Sequence, residues 1–205
     1  MRKAAHTLSL VLHPVWMPTL AFVIAFAIDP HLTIGLTEKG RWIIVGMVFI
    51  MTGLFPITST LMIWRNGVIS ELAMPVRRER ILPFLLSLIY FGMAFYLLRR
   101  TPNHPVSLAL FTGCVIGLAA TLLITLGWKI SAHMVGIGGL IGMLFGLMLV
   151  HRAQAPVLTG VLFLLAGALG SARLLVTDHT PAQIYVGGML GMLSTFTCVI
   201  FGLYF

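Results

Sequence analysis

Residues 134–150 read MVGIGGLIGMLFGLMLV, without one charged side chain. A helix that crosses a bilayer needs about 20 mostly apolar residues, so this stretch is at the short end of what can span. Its glycines recur at small-xxx-small spacing across 136–146, and GGMLGML at 187–193 does the same. Such spacing lets helix backbones approach closely in lipid, where no hydrophobic force draws helices together. Both stretches are therefore expected to be packing surfaces inside one helix bundle.

Six further apolar stretches surround it, at 9–28, 42–64, 81–98, 106–127, 157–176 and 184–205. The expected fold is all-α: a polytopic integral membrane bundle of six to seven transmembrane helices, forming a single domain over 1–205. The third and fifth stretches are short, so one of them is expected to be tilted or partly re-entrant. Composition agrees: apolar residues make up 59% and charged residues 9%, with a mean hydropathy of +1.05. Soluble domains carry about 25% charged residues, so this chain could not cover a water-facing surface. The net charge of +8 is no nucleic-acid signal, because the basic residues lie at helix ends beside lipid headgroups. Met1-Arg2-Lys3 is basic, but the first apolar stretch ends in Asp29-Pro30 without a small-residue cleavage site, so no leader removal is expected. Cys114 and Cys198 lie in apolar stretches and are expected as reduced thiols. In HPVWMP (13–18), two prolines are expected to kink the first helix or to start it near Pro18.

With seven spans, the connections 2–3, 4–5 and 6–7 share one membrane face. They hold ELAMPVRRERILPF (71–84), WKISAHMVG (128–136) and SARLLVTDHTPAQ (171–183). The opposite connections hold TEKGR, RRTPNHP and HRAQAP, which read as ordinary polar turns. Arg77 and Arg80 lie three apart, on one side of a helix; Lys129 and Arg173 come from two other connections. Guanidinium groups gathered at a membrane surface suit a phosphate, which they bind bidentately. His133 and His179 provide two imidazoles, one able to attack phosphorus and one able to protonate a leaving alkoxide. Ser131 precedes His133 by two positions and can hydrogen-bond a phosphate oxygen at a helix start. His6, His13, His31, His104 and His151 read as bystanders. The five carboxylates (Asp29, Glu38, Glu71, Glu79, Asp178) form no metal-ligand pattern, so no metal and no other cofactor is expected.

These blocks resemble the three signature motifs of the type 2 phosphatidic acid phosphatase superfamily of membrane lipid phosphatases. Its second motif, Pro-Ser-Gly-His, is matched by Ile130-Ser131-Ala132-His133. Its third, Ser-Arg, five residues, His, three residues, Asp, is matched by Ala172-Arg173, His179 and Gln183. Its first, a lysine, six residues, then Arg-Pro, is matched loosely by Arg77, Arg80 and Pro83. The similarity spans about 71–188. It implies that Arg77, Arg80, Ser131 and Arg173 bind phosphate, that His179 is the nucleophile, and that His133 is the general acid. It also implies a phosphorylated lipid as substrate, membrane lipids as surroundings, and the inner membrane of a bacterium as location.

The departures are specific. Gln183 replaces the aspartate that orients the nucleophilic histidine in the family; one helical turn from His179, it is expected to hold the ring N–H. Asp178 adjoins His179 but adjacent helical side chains do not face each other, and Glu71 or Glu79 could substitute from the other connection. Lys129 stands in for the missing first-motif lysine, and the seven spans exceed the six usual in bacterial members. The alternative is a non-catalytic lipid-phosphate binding or transport protein on the same scaffold. A retinal-type seven-helix protein would need a lysine in the last span, which has none. Counting Lys and Arg gives eight on the motif face and five opposite. Setting aside Arg77, Arg80, Lys129 and Arg173 as site candidates leaves four against five, so the positive-inside rule assigns no orientation.

Overall fold

A computed structural model describes residues 2–176 and 179–204. Among these, helices account for all regular structure. They are α1 (Arg2–Val11), α2 (Met17–Ile28), α3 (Glu38–Phe49), α4 (Phe55–Arg65), α5 (Ile81–Arg99), α6 (Pro105–Gly127), α7 (Ala132–Val150), α8 (Pro156–Val176) and α9 (Pro181–Phe201). Seven runs are long and apolar enough to cross a membrane: Arg2–Ile28, Glu38–Arg65, Arg77–Arg99, Pro105–Gly127, Ala132–Val150, Pro156–Val176 and Pro181–Phe201. The protein is an all-α polytopic bundle.

Several spans start ahead of the apolar stretches. Pro105, Pro156 and Pro181 each occupy the first helical position, where a missing N–H costs nothing and the fixed φ is already helical. The first span gains α1, which starts at Arg2 rather than near residue 9. HPVWMP breaks it into α1 and α2, joined by a 3₁₀ turn at Pro14–Trp16. The two stretches expected to be short are continuous helices, α5 of 19 residues and α7 of 19. A π-helical segment, Ile50–Leu54, joins α3 to α4 within the second span. Pro56 lies just beyond it, and a proline that cannot donate to the preceding turn is a standard cause of such a break.

The bundle is apolar outside as well as inside. Large side chains such as Val157, Leu164 and Leu123 are exposed, as lipid contact allows, and Trp42, Trp64, Tyr96, Trp128 and Tyr185 project near span ends, where aromatic rings favour the headgroup region. The core buries Phe22, Phe111, Leu110 and Leu144, and its tightest seam is lined by glycines. α7 and α9 pack most closely. A Cβ added at Gly138 would overlap the Gly188 carbonyl, one at Gly142 the Met192 carbonyl, and one at Gly191 the Val135 carbonyl. Thr195 Oγ1 donates across the same seam to the Gly139 carbonyl at 2.8 Å. At its N-terminal end the Ser131 N–H donates to the Gln183 carbonyl at 3.4 Å. The glycine spacing in both stretches thus marks two faces of one interface. α1 packs on α8, α2 on α7, and α6 on α9.

Gly191→Ala is expected to destabilise the protein by about 1–3 kcal/mol, the usual cost of overpacking a tight core. Gly167→Ala, with open space around its added Cβ, is expected to be neutral or stabilising by up to about 1 kcal/mol. Thermal melting in detergent, read by near-UV dichroism, checks the pair; equal melting temperatures would refute the α7–α9 contact.

Candidate functional site

Two helix starts define the site. α7 begins after Ser131 and α9 begins after Thr180, side by side across the glycine seam. Thr180 caps α9 in a reciprocal box: its hydroxyl accepts from the Gln183 N–H at 3.4 Å, and Gln183 Oε1 accepts from the Thr180 N–H at 3.2 Å. This arrangement satisfies two donors that a helix start otherwise leaves unpaired.

The same Gln183 Oε1 lies 2.8 Å from His179 Nδ1. Because a backbone N–H can only donate, the atom that serves Thr180 is an acceptor, and His179 Nδ1 therefore carries the proton. Nε2 keeps its lone pair. The hydrogen bond expected from the four-residue spacing is thus present, and one glutamine both caps α9 and fixes the tautomer of His179. Glu79 is used elsewhere, accepting from the Ser70 N–H and hydroxyl at 3.1 and 3.0 Å. Asp178 lies outside the described residues.

Three cations act on His179. The charges of Arg80, Arg173 and Lys129 reach the ring from the 3₁₀ turn before α5, from α8 and from the 4–5 connection. Burial first, then these charges, push the His179 imidazole below its ordinary range to about 4, while the Gln183 hydrogen bond works in the other direction. Arg80 and Arg173 are both buried, and Arg80 Nε donates to the Met74 carbonyl at 2.9 Å. Among the described residues no carboxylate forms an ion pair with Arg80. Two buried guanidinium groups close enough to act on each other are stabilised by an anion between them. Ser131 adds a fully buried hydroxyl with no hydrogen-bond partner among the described residues, and it does not cap α7.

Arg77 is placed differently. Its guanidinium donates to the Thr125 carbonyl at 2.7 Å and to the Leu126 carbonyl, so it closes the C-terminal end of α6, where a cation is favoured. It is not among the charges acting on His179.

His133 shows what sequence reasoning missed. Its Nε2 lies 3.1 Å from the Ser9 carbonyl oxygen of α1, so Nε2 bears the proton. Its ring meets that of His13 edge to face, with centroids 5.1 Å apart. His13, read from the sequence as a bystander, therefore belongs to the wall of the site. The break in HPVWMP was the available signal, since a proline-interrupted helix leaves carbonyls free to accept from outside. His133 remains within electrostatic reach of Arg173 and His179.

The chain matches no family model, no curated protein and no solved structure. The resemblance to the phosphatidic acid phosphatases rests on the motif residues themselves.

His179 binds fewer protons than an unfolded chain would between about pH 4 and 6.5, so its burial weakens the fold as pH falls through that window and has no effect above it. The His179 imidazole is expected to titrate well below pH 6.5, towards 4, when followed by NMR of the ring. Gln183→Glu keeps the length the capping box requires and places a carboxylate on the ring, so it is expected to move that titration upward by about one unit. A wild-type titration at 6.5 that Gln183→Glu leaves unmoved would refute the buried, glutamine-held ring.

Proposed function

We propose that the protein is an integral membrane lipid phosphatase of the phosphatidic acid phosphatase type. It would hydrolyse a phosphorylated lipid, such as a polyprenyl diphosphate or a phosphatidate, in a bacterial inner membrane. The observation that carries this reading is His179: its tautomer is held by Gln183, its Nε2 is left as a nucleophile, and three cations surround it.

In the proposed reaction, Arg80, Arg173 and Ser131 hold the phosphoryl oxygens, with Lys129 adding charge. His179 Nε2 attacks phosphorus; a P–N bond forms as the P–O bond to the lipid breaks. His133, as the imidazolium, gives its Nε2 proton to the departing oxygen and is left neutral. A water molecule, losing a proton to His133, then attacks the phosphohistidine; the P–N bond breaks, and inorganic phosphate leaves. The cations supply the charge stabilisation that a developing phosphoryl transition state needs. Burial at the bilayer edge lets the lipid phosphate enter while its tail stays in hydrocarbon.

A second reading is a lipid-phosphate binding or transport protein. Two observations favour it. Gln183 is an amide and stabilises an imidazolium less than a carboxylate would, and the His133 N–H is already given to Ser9. For catalysis that bond must yield to the leaving-group oxygen.

Purified protein presented with a panel of lipid phosphates and diphosphates is expected to release inorganic phosphate, at an initial rate that EDTA does not change. His179→Ala is expected to abolish turnover. His133→Ala is expected to slow it by about 10²–10⁴-fold, the usual contribution of a general acid, and most for poor leaving groups. Tight lipid-phosphate binding without phosphate release from any substrate would replace this reading with the binder.

A further inference from the structure

The membrane face opposite the motif residues carries a second convergence. The connections 1–2, 3–4 and 5–6, read from the sequence as plain polar turns, bring Asp29, His31, His104 and His151 together. The sequence alone offered no carboxylate in a metal-ligand set; in the fold, ligand atoms of Asp29, His31 and His151 all lie within 4.8 Å of one another.

Asp29 is the centre. Only 1% exposed, it closes α2 by donating its N–H to the Ala25 carbonyl. Its Oδ1 accepts from the His31 N–H at 3.1 Å and faces His31 Nδ1 at 3.1 Å. Its Oδ2 faces His151 Nδ1 at 2.5 Å. The two rings lie side by side, centroids 4.9 Å apart. Among the described residues, these histidines are the carboxylate's only ion-pair partners. A buried carboxylate without compensating positive charge is strongly unfavourable, and a neutral imidazole brings none. Sharing a proton with one imidazole answers this in part. A divalent ion between the three donors answers it fully, and both Nδ1 atoms already face the Asp29 carboxylate, one at each oxygen.

The geometry points to a divalent transition-metal site, best suited to Zn²⁺, formed by Asp29, His31 and His151. Bonds of about 2.0–2.1 Å at a tetrahedral ion set ligand atoms about 3.3 Å apart. The His31–Asp29 separation of 3.1 Å is already close, and the His151–Asp29 pair at 2.5 Å has to open by less than about 1 Å to meet that spacing. Two imidazoles exclude Mg²⁺ and Ca²⁺, which take all-oxygen shells. His31, its side chain 57% exposed, leaves the fourth position open to water. His104 gives no ligand atom: its Nδ1 accepts from the Val106 N–H at 3.3 Å, and its ring packs edge to face on His151 with centroids 5.3 Å apart. The ion would tie the turn after α2 to the end of α7, two helices that pack on each other. This site is independent of the phosphatase reading, lying at the other end of the bundle.

The test uses the full-length protein in detergent, stripped with chelator, loaded with Zn²⁺ alone, and passed over a desalting column before metal analysis. One ion per chain and a raised melting temperature are expected. Co²⁺ in place of Zn²⁺ is expected to give the visible absorption of a low-coordinate N/O site. His31→Ala, which changes an exposed ring, and His151→Gln are each expected to weaken Zn²⁺ binding more than the roughly 10–100-fold that loss of a second-shell partner costs. His6→Ala, an exposed histidine on α1, is expected to keep the ion. No retained Zn²⁺ in wild type, or unchanged affinity in His31→Ala, overturns the site; that variant decides the matter if His151→Gln fails to fold. Metal content and melting are read without substrate, so failure of the phosphatase reading leaves this result unaffected.

Discussion

The contact between the backbones of α7 and α9 is the constraint from which the rest follows. In lipid, two helices gain nothing by hiding leucines from a solvent that is itself apolar. They gain by coming close enough for dispersion along the whole seam and for a hydrogen bond such as Thr195 to the Gly139 carbonyl. Gly138, Gly142, Gly187 and Gly191 permit that approach. Because the approach is tight, it also fixes register. Ser131 and Gln183 come level at the same end, joined through the backbone, and the chemistry of the motif face is assembled as a by-product of helix packing.

Polar groups inside such a bundle are costly and must have partners. The chain meets this with residues that do two tasks. Gln183 caps α9 and orients His179. Arg77 closes α6 while joining it to the start of the third span. Asp29 caps a 3₁₀ turn and receives two imidazoles. Each economy makes the residue sensitive to length as well as polarity, since a second geometry is imposed on the same atom. Gln183 is the clearest case: an amide oxygen shared between a backbone N–H and a ring N–H tolerates no shortening.

The helical spans were legible in the sequence because hydrocarbon thickness demands long apolar runs, and nothing else in this composition competes with that signal. Their starts were less legible. Pro105, Pro156 and Pro181 lie just ahead of the apolar stretches, yet serve as first helical residues. The convergence of Arg80, Lys129, Ser131, Arg173 and His179 could be inferred from span parity and motif spacing, because both are local counts. The pairing of His133 with Ser9 and His13 could not, nor could the grouping of Asp29 and His31 with His104 and His151. These contacts join residues from 47 (His104 to His151) to 124 (His133 to Ser9) positions apart in the chain, and each histidine taken alone looks like a solvated turn residue. Arg77 shows the converse: its spacing from Arg80 suggested a shared ligand, but the free carbonyls of α6 claimed it.

The bond from His133 to the Ser9 carbonyl links the start of α7 to α1, 124 positions apart. During synthesis, α1 enters the membrane long before α7 and α8 exist. It must then wait in lipid with a proline-broken stretch whose Ser9 carbonyl is taken up only by His133, and such a group is unfavourable in hydrocarbon. The early nascent chain is therefore incomplete in a specific way: its first span is stable only when held near the headgroups or by the insertion machinery. α8 packs on α1, and α9 closes on α7. Because α9 brings Gln183, the tautomer of His179 is fixed only once α9 has closed on α7, so the two imidazole nitrogens stay undifferentiated until that seam forms.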